Sequence, residues 1–156
     1  MNDQMCSLRR ALGLSVAALI LSAPSWHSAS AEPLMTIFSF EKSAYDDSKS
    51  NQVIVTINRT DQDPANESQE FTIICKVTGG DAVAPLDYNA SFKGATWNFG
   101  KVTFPPGVRK QSFAINTYKT SATNKTIKLA LSDPEGPGAA VTGDNTTTSI
   151  TIVQKK

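Results

Sequence analysis

One histidine, His27, and two cysteines, Cys6 and Cys75, are all that 156 residues supply of the groups most hydrolases use as base or thiol nucleophile. His27 and Cys6 both fall within the first 31 residues, a stretch with the marks of a removable leader. What remains for chemistry is Cys75 and the carboxylates. Cys75 stands in Phe71-Thr72-Ile73-Ile74-Cys75-Lys76-Val77, where alternation puts Phe71, Ile73, Cys75 and Val77 on one face of a strand. A thiol on an apolar face, with no basic cluster beside it, is a small core residue, and burial keeps it inert. Without histidine, the mature chain can assemble neither a Ser-His-Asp or Cys-His arrangement nor a His-ligated zinc site. Hydrolysis by carboxylates alone, as in glycosidases with paired Asp/Glu, is the enzymatic alternative left over. The chain reads as a non-enzyme.

The leader is legible from charge and length. Arg9 and Arg10 precede an apolar run from Ala11 to Ala23, and Ala29-Ser30-Ala31 forms a small-x-small cleavage site. The run is shorter than the roughly 20 residues a membrane-spanning helix needs. Cys6 precedes it, whereas a lipid-anchoring cysteine would follow. Cleavage after Ala31 leaves Glu32 to Lys156 as one exported domain, secreted or periplasmic, without a transmembrane segment; the Ala-rich leader reads as bacterial. Of 15 basic and 14 acidic residues, Arg9, Arg10 and Asp3 lie in the leader, so the mature chain carries equal numbers of each sign. A neutral domain has no single-sign field with which to gather nucleic acid or anionic lipid. Export permits disulfides, but a single mature cysteine excludes an intramolecular one.

The elements that would position these side chains are strands. Met35–Glu41, Gln52–Arg59, Glu70–Thr78, Lys110–Lys119, Asn124–Ser132 and Thr146–Val153 alternate apolar and polar residues. Shorter candidates lie at Tyr88–Phe92, Ala95–Phe99 and Lys101–Phe104. Gly79-Gly80-Asp81 and Asp133-Pro134-Glu135-Gly136-Pro137-Gly138 read as turns. Period-two alternation rich in Thr, Val and Ile predicts an all-β, antiparallel two-sheet sandwich of the immunoglobulin-like kind, with about seven strands. Phe92, Trp97 and Phe99 are expected in its core rather than as an exposed patch for a glycan. Lys119, Lys125 and Lys128 read as a mildly basic, solvated end.

Asp87-Tyr88 at a loop-to-strand junction, then Thr103-Phe104-Pro105-Pro106-Gly107, resembles the Calx-β domain family. Ile57-Asn58-Arg59, the Ile127–Pro134 strand and the final Ser149-Ile150-Thr151-Ile152 carry the likeness across almost the whole mature chain. Such domains are small β-sandwiches of extracellular adhesins and sodium/calcium exchangers, and several bind Ca²⁺. The residues also make sense physically. Pro105 and Pro106 lack the N–H a ladder requires, so they stop the strand at Phe104, and Gly107 supplies a positive φ.

The resemblance implies a calcium site built around Asp87, with Asp46, Asp47 and Asp81 as further candidate ligands. Ca²⁺ takes six to eight oxygens at about 2.3–2.6 Å, several of them anionic. This chain departs from the family pattern at four places, one of them Val108, where a glutamate often follows the Phe-Pro-Pro-Gly turn. Lys49 stands near the early glutamate. The turn from Asn116 to Lys125 has no carboxylate but holds Lys119 and Lys125. The last strand is followed by Val153-Gln154-Lys155-Lys156. The scaffold is kept and the ion site is largely dismantled, so no cofactor is expected, with a weak or degenerate Ca²⁺ site as the alternative. The reading is an exported, non-catalytic binding or structural module that meets a protein or glycan at the cell envelope or outside.

Overall fold

Alternation decides which side chains face inward. The computed structural model describes residues 34–92, 95–96 and 99–154, with backbone alone at 90–92, 95–96 and 99. The leader expected at residues 1–31, Trp97 and the side chains of Phe92 and Phe99 therefore lie outside the described residues. In β1 (Thr36–Phe40) every second residue is buried, so Thr36, Phe38 and Phe40 point inward. The same period holds through β3 (Gln52–Asp61), β4 (Phe71–Gly80), β8 (Lys110–Thr117), β9 (Lys125–Glu135) and β11 (Thr147–Ile152). Shorter pieces are β2 (Ala44–Asp46), β5 (Tyr88–Phe92), β6 (Ala95–Thr96), β7 (Phe99–Phe104) and β10 (Ala139–Ala140).

These strands form two sheets, one in the order β10-β1-β3-β8-β5-β6 and the other β2-β11-β9-β4-β7. Their inner faces share one core, in which Phe38 packs against Phe71 and Phe104, its ring centroid 6.1 and 5.3 Å from theirs. Pairing is antiparallel except where β10 joins β1 and where β2 joins β11, both parallel. The expected two-sheet sandwich is therefore present, with eleven strands among the described residues in place of about seven. The surplus comes largely from β2, β6 and β10, two or three residues long. Strands that short show no alternation to read. Among the described residues, no helix is long and apolar enough to cross a membrane.

Two expected turns are instead absorbed into strands. β9 runs on through Asp133-Pro134-Glu135, where a register shift against β4 between Thr72 and Ile74 marks a bulge. Asp133 takes φ 49°, and the extra residue frees Pro134 from the ladder it cannot join. β4 likewise extends to Gly80, past a second shift between Val77 and Gly79. Gly80 has φ 111°, and a Cβ there would lie 2.2 Å from the Thr126 carbonyl oxygen, so only glycine lets the strands approach this closely. The Phe-Pro-Pro-Gly turn behaves as expected: Val108 N–H donates to Pro105 O at 3.0 Å, and Gly107 has φ 74°.

That turn lies at one end of the sandwich with a short 3₁₀ segment, Pro64–Ser68, capped by Asp63, whose side chain accepts from Ala65 N–H. Arg59 is buried there. It donates to Asp61 at 2.9 Å, to Gln69 O at 3.1 Å and to Asn66 O, and its guanidinium lies 4.2 Å from the Phe71 ring centroid. The opposite end collects the 47–51, 81–87 and 118–124 turns and Val153-Gln154 after β11. The candidate site is there.

Candidate functional site

Asp87 ends the 81–87 turn, and Tyr88 begins β5. Its backbone is fixed on both sides, since Asp87 N–H donates to Val83 O at 2.7 Å and Asp87 O accepts from Tyr118 N–H at 2.7 Å. The residue is 1% exposed. Its Oδ1 accepts from Lys125 Nζ at 2.8 Å and Thr120 Oγ1 at 2.6 Å, and its Oδ2 from Lys125 Nζ at 2.7 Å and Val83 N–H at 2.8 Å. A carboxylate offers about four lone-pair sites, and here three donor groups make four contacts with them. The Lys125 hydrogen bond, then Thr120, then Val83 N–H hold the Asp87 carboxyl down to about 2.

Asp47 is built the same way and is also 1% exposed. Its Oδ2 accepts from Thr117 Oγ1 at 2.6 Å and its Oδ1 from Val153 N–H at 2.6 Å. Lys119 Nζ lies 3.6 Å from Oδ1 and donates to Val153 O at 2.8 Å. The lysine side chains are only 16% exposed at Lys119 and 24% at Lys125. The solvated basic end expected from sequence is thus corrected: two of its three lysines are folded inward, because two buried carboxylates require a positive partner. Lys128 lies on the outer face of β9.

Asp46 and Asp81 do something else. Asp46 is exposed and accepts from the Ser48 hydroxyl and, at 2.9 Å, from Ser48 N–H, and these two bonds hold its carboxyl below the usual range. Asp81 accepts from Thr126 N–H at 2.6 Å and Thr126 Oγ1 at 2.9 Å, with the same downward effect on its carboxyl. In return Thr126 O accepts from Asp81 N–H at 3.1 Å and Ala82 N–H at 3.0 Å, a clasp made possible by Gly80. The four aspartates thus share one end of the molecule without forming a cluster. Among the described residues, no three Asp, Glu, His or Cys side chains come together as a metal would require.

Comparison with solved structures gives the architecture a precedent. The apo-form Calx CBD1 domain superposes with TM-score 0.61 at 18% identity, over 78% of this chain and 99% of that one. The fold is Calx-β-like. The Calx CBD2 domain gives TM-score 0.56 at 14% identity, covering 77% of this chain and 87% of the other. The calcium binding domain CBD12 of CALX1.1 gives 0.58 at 18%; the match covers 75% of this chain and 44% of that longer one. No protein-family model and no curated protein sequence matches the chain.

A Calx-β-like fold raises the question of calcium, and the described residues do not fit the ion. Both Asp87 oxygens are already engaged by Lys125, Thr120 and Val83 N–H, and a lysine ammonium stands at both Asp87 and Asp47. Sequence reasoning placed Lys119 and Lys125 in the right turn but missed that each reaches a retained aspartate. The readable signal was charge reversal in a turn expected to be acidic. Cys75 is fully buried, and burial pushes its thiol up to about 12, consistent with an inert core residue.

Proposed function

We propose that the mature chain is an exported, non-catalytic binding module that meets a protein or glycan partner through the loop end bearing Asp47 and Asp87. The observation that carries this reading is the exposed apolar group on that end: Val83 is 54%, Leu86 68% and Tyr118 41% exposed. Leu86 adjoins Asp87, and Val83 and Tyr118 are hydrogen-bonded to it through their backbones. Apolar side chains on rigid loops lose little freedom on binding, which favours a contact surface. Nearby, a polar depression of about 320 Å³ is lined by Lys42, Tyr45, Asp46, Lys49 and Gln52, a mixture of ring and hydrogen-bonding groups suited to a sugar or peptide.

Export is supported by Arg9-Arg10, the Ala11–Ala23 run and cleavage after Ala31, and places the module in the periplasm or outside. The non-catalytic reading is supported by the carboxyls themselves. Those of Glu41, Asp46, Asp81, Asp87 and Glu135 are all held below the usual range by hydrogen-bond donors, the wrong direction for a general acid.

The test is a pull-down from the native host's envelope fraction with the mature domain and with Leu86→Asp/Tyr118→Ala, each with and without Ca²⁺. A partner or glycan retained by the parent with or without Ca²⁺, and lost with the double variant, is the expected result. Equal capture by both proteins would reject this surface.

A further inference from the structure

The misfit with calcium has a positive content. We infer that Lys119 and Lys125 are tethered cations: their ammonium groups take the place a diffusible divalent ion would otherwise fill between Asp47, Asp87 and the loops around them. Lys125 gives both oxygens of Asp87 a donor at 2.7 and 2.8 Å, and so joins the start of β9 to the 81–87 turn. Lys119 joins the turn after β8 to Asp47 and to Val153 O, which ties in the segment after β11. The 118–125 stretch is thereby tied by two positive charges to the 81–87 turn, to Asp47 and to Val153.

The chemistry favours a cation there. Two carboxylates at 1% exposure have lost most of their water, and hydrogen-bond donors together with a positive charge offset that loss best. A free ion must be recruited from the medium, shed its water and lose its translational freedom. An ammonium on the same chain is always present at high effective concentration, so occupancy no longer depends on ion supply. This inference concerns the packing of the loops and stands apart from the identity, or existence, of a binding partner.

An ordinary structural ion pair and a cation substitute make different predictions once the lysines are removed. In Lys119→Gln/Lys125→Gln the aspartates keep their oxygens, and Val153 O, released by Lys119, becomes available as a neutral ligand. If the lysines stand in for an ion, this variant acquires a response to divalent cations that the parent lacks. The experiment is thermal unfolding of the mature parent, the double variant and the single variants, in EDTA and in 5–10 mM Ca²⁺ or Mg²⁺ (about saturating for a weak site). The expected result is a parent Tm indifferent to either treatment. The double variant should have a lowered Tm that rises by at least ~3 °C with Ca²⁺. Should the double variant not fold in EDTA, recovery of folding on adding Ca²⁺, or a Ca²⁺ response in either single variant, carries the same meaning.

Asp47→Asn/Asp87→Asn in the double-Gln background removes the carboxylates and should abolish the response. A parent Tm that moves with Ca²⁺ or EDTA would overturn the inference. So would lysine variants, single and double, whose stability ignores divalent ions, or a response that persists without the aspartates.

Discussion

Lys125 Nζ lies 2.7 and 2.8 Å from the two carboxylate oxygens of Asp87, so one ammonium spans the whole acceptor edge of a carboxylate that solvent scarcely reaches. Asp87 is the turn residue that leads into β5 of one sheet, and Lys125 begins β9 of the other. The pair therefore links the sheets at their loop end.

Replacing Lys125 by Met should cost about 3 kcal/mol in denaturant unfolding, the lower end of the range for breaking a buried pair because the lysine retains some solvent contact. Asp87→Asn should cost less, since it leaves no buried anion. A Lys125→Met loss no larger than that of an exposed pair such as Lys110–Glu41 would show that the ammonium is dispensable.

The acid limb of stability follows from the same residue. Asp87 is held down to about 2 when folded, against about 3.9 in an unfolded chain. The unfolded state then binds more protons across this interval, so the contribution is complete above about pH 4 and disappears as pH falls towards 2. Urea unfolding between pH 2 and 6 should therefore show a shallower acid dependence for Asp87→Asn than for the parent. Parallel curves would be contrary to expectation.

Arg59 predicts a large effect at the other end. Its guanidinium serves Asp61, Asn66 O and Gln69 O while lying over Phe71, a planar fork that an ammonium cannot reproduce. Arg59→Lys should lose about 2–4 kcal/mol and Arg59→Ala about 3–5 kcal/mol by equilibrium unfolding. A Lys variant within 0.5 kcal/mol (about the scatter of surface substitutions) would contradict this.

Cys75 should be silent to thiol reagents. Burial pushes the thiol to about 12 and leaves none of it exposed, so Ellman's reagent at pH 8 should label it only after unfolding. Rapid labelling of the native domain would place it elsewhere.

Gly80→Ala should destabilise by about 2–4 kcal/mol, because φ 111° is strained for alanine and its Cβ would strike the Thr126 carbonyl. The lost contact should appear in hydrogen exchange as earlier opening of Asp81 and Ala82 N–H, which both donate to Thr126 O.

Most of the fold was legible because burial follows a simple period: Val53, Val55 and Ile57, or Ile127, Leu129 and Leu131, announce their faces unaided. The Phe104-Pro105-Pro106-Gly107 stop was legible because proline and glycine act locally. β2 and β10 were not, since their parallel partners, β11 and β1, lie roughly a hundred residues away. Nor was the continuation of β9 through Asp133-Pro134, where a bulge overrides the usual meaning of proline. At the site, the aspartates could be named from sequence. Their pairing with Lys119 and Lys125 could not, because a long side chain's reach depends on tertiary position and not on spacing.

The contact between Asp47 and Val153 also orders events in time. Among the described residues, the Asp47 carboxylate takes a backbone N–H from residue 153 alone, just as β2 pairs with β11 alone. A growing chain that has presented its first strands must hold them unfinished until β11 arrives. Folding is then completed from the tail, slowly as for any sandwich dominated by distant pairings. A chain stalled before β11 would display an unsealed sheet edge, open to proteolysis and to mispairing with its neighbours.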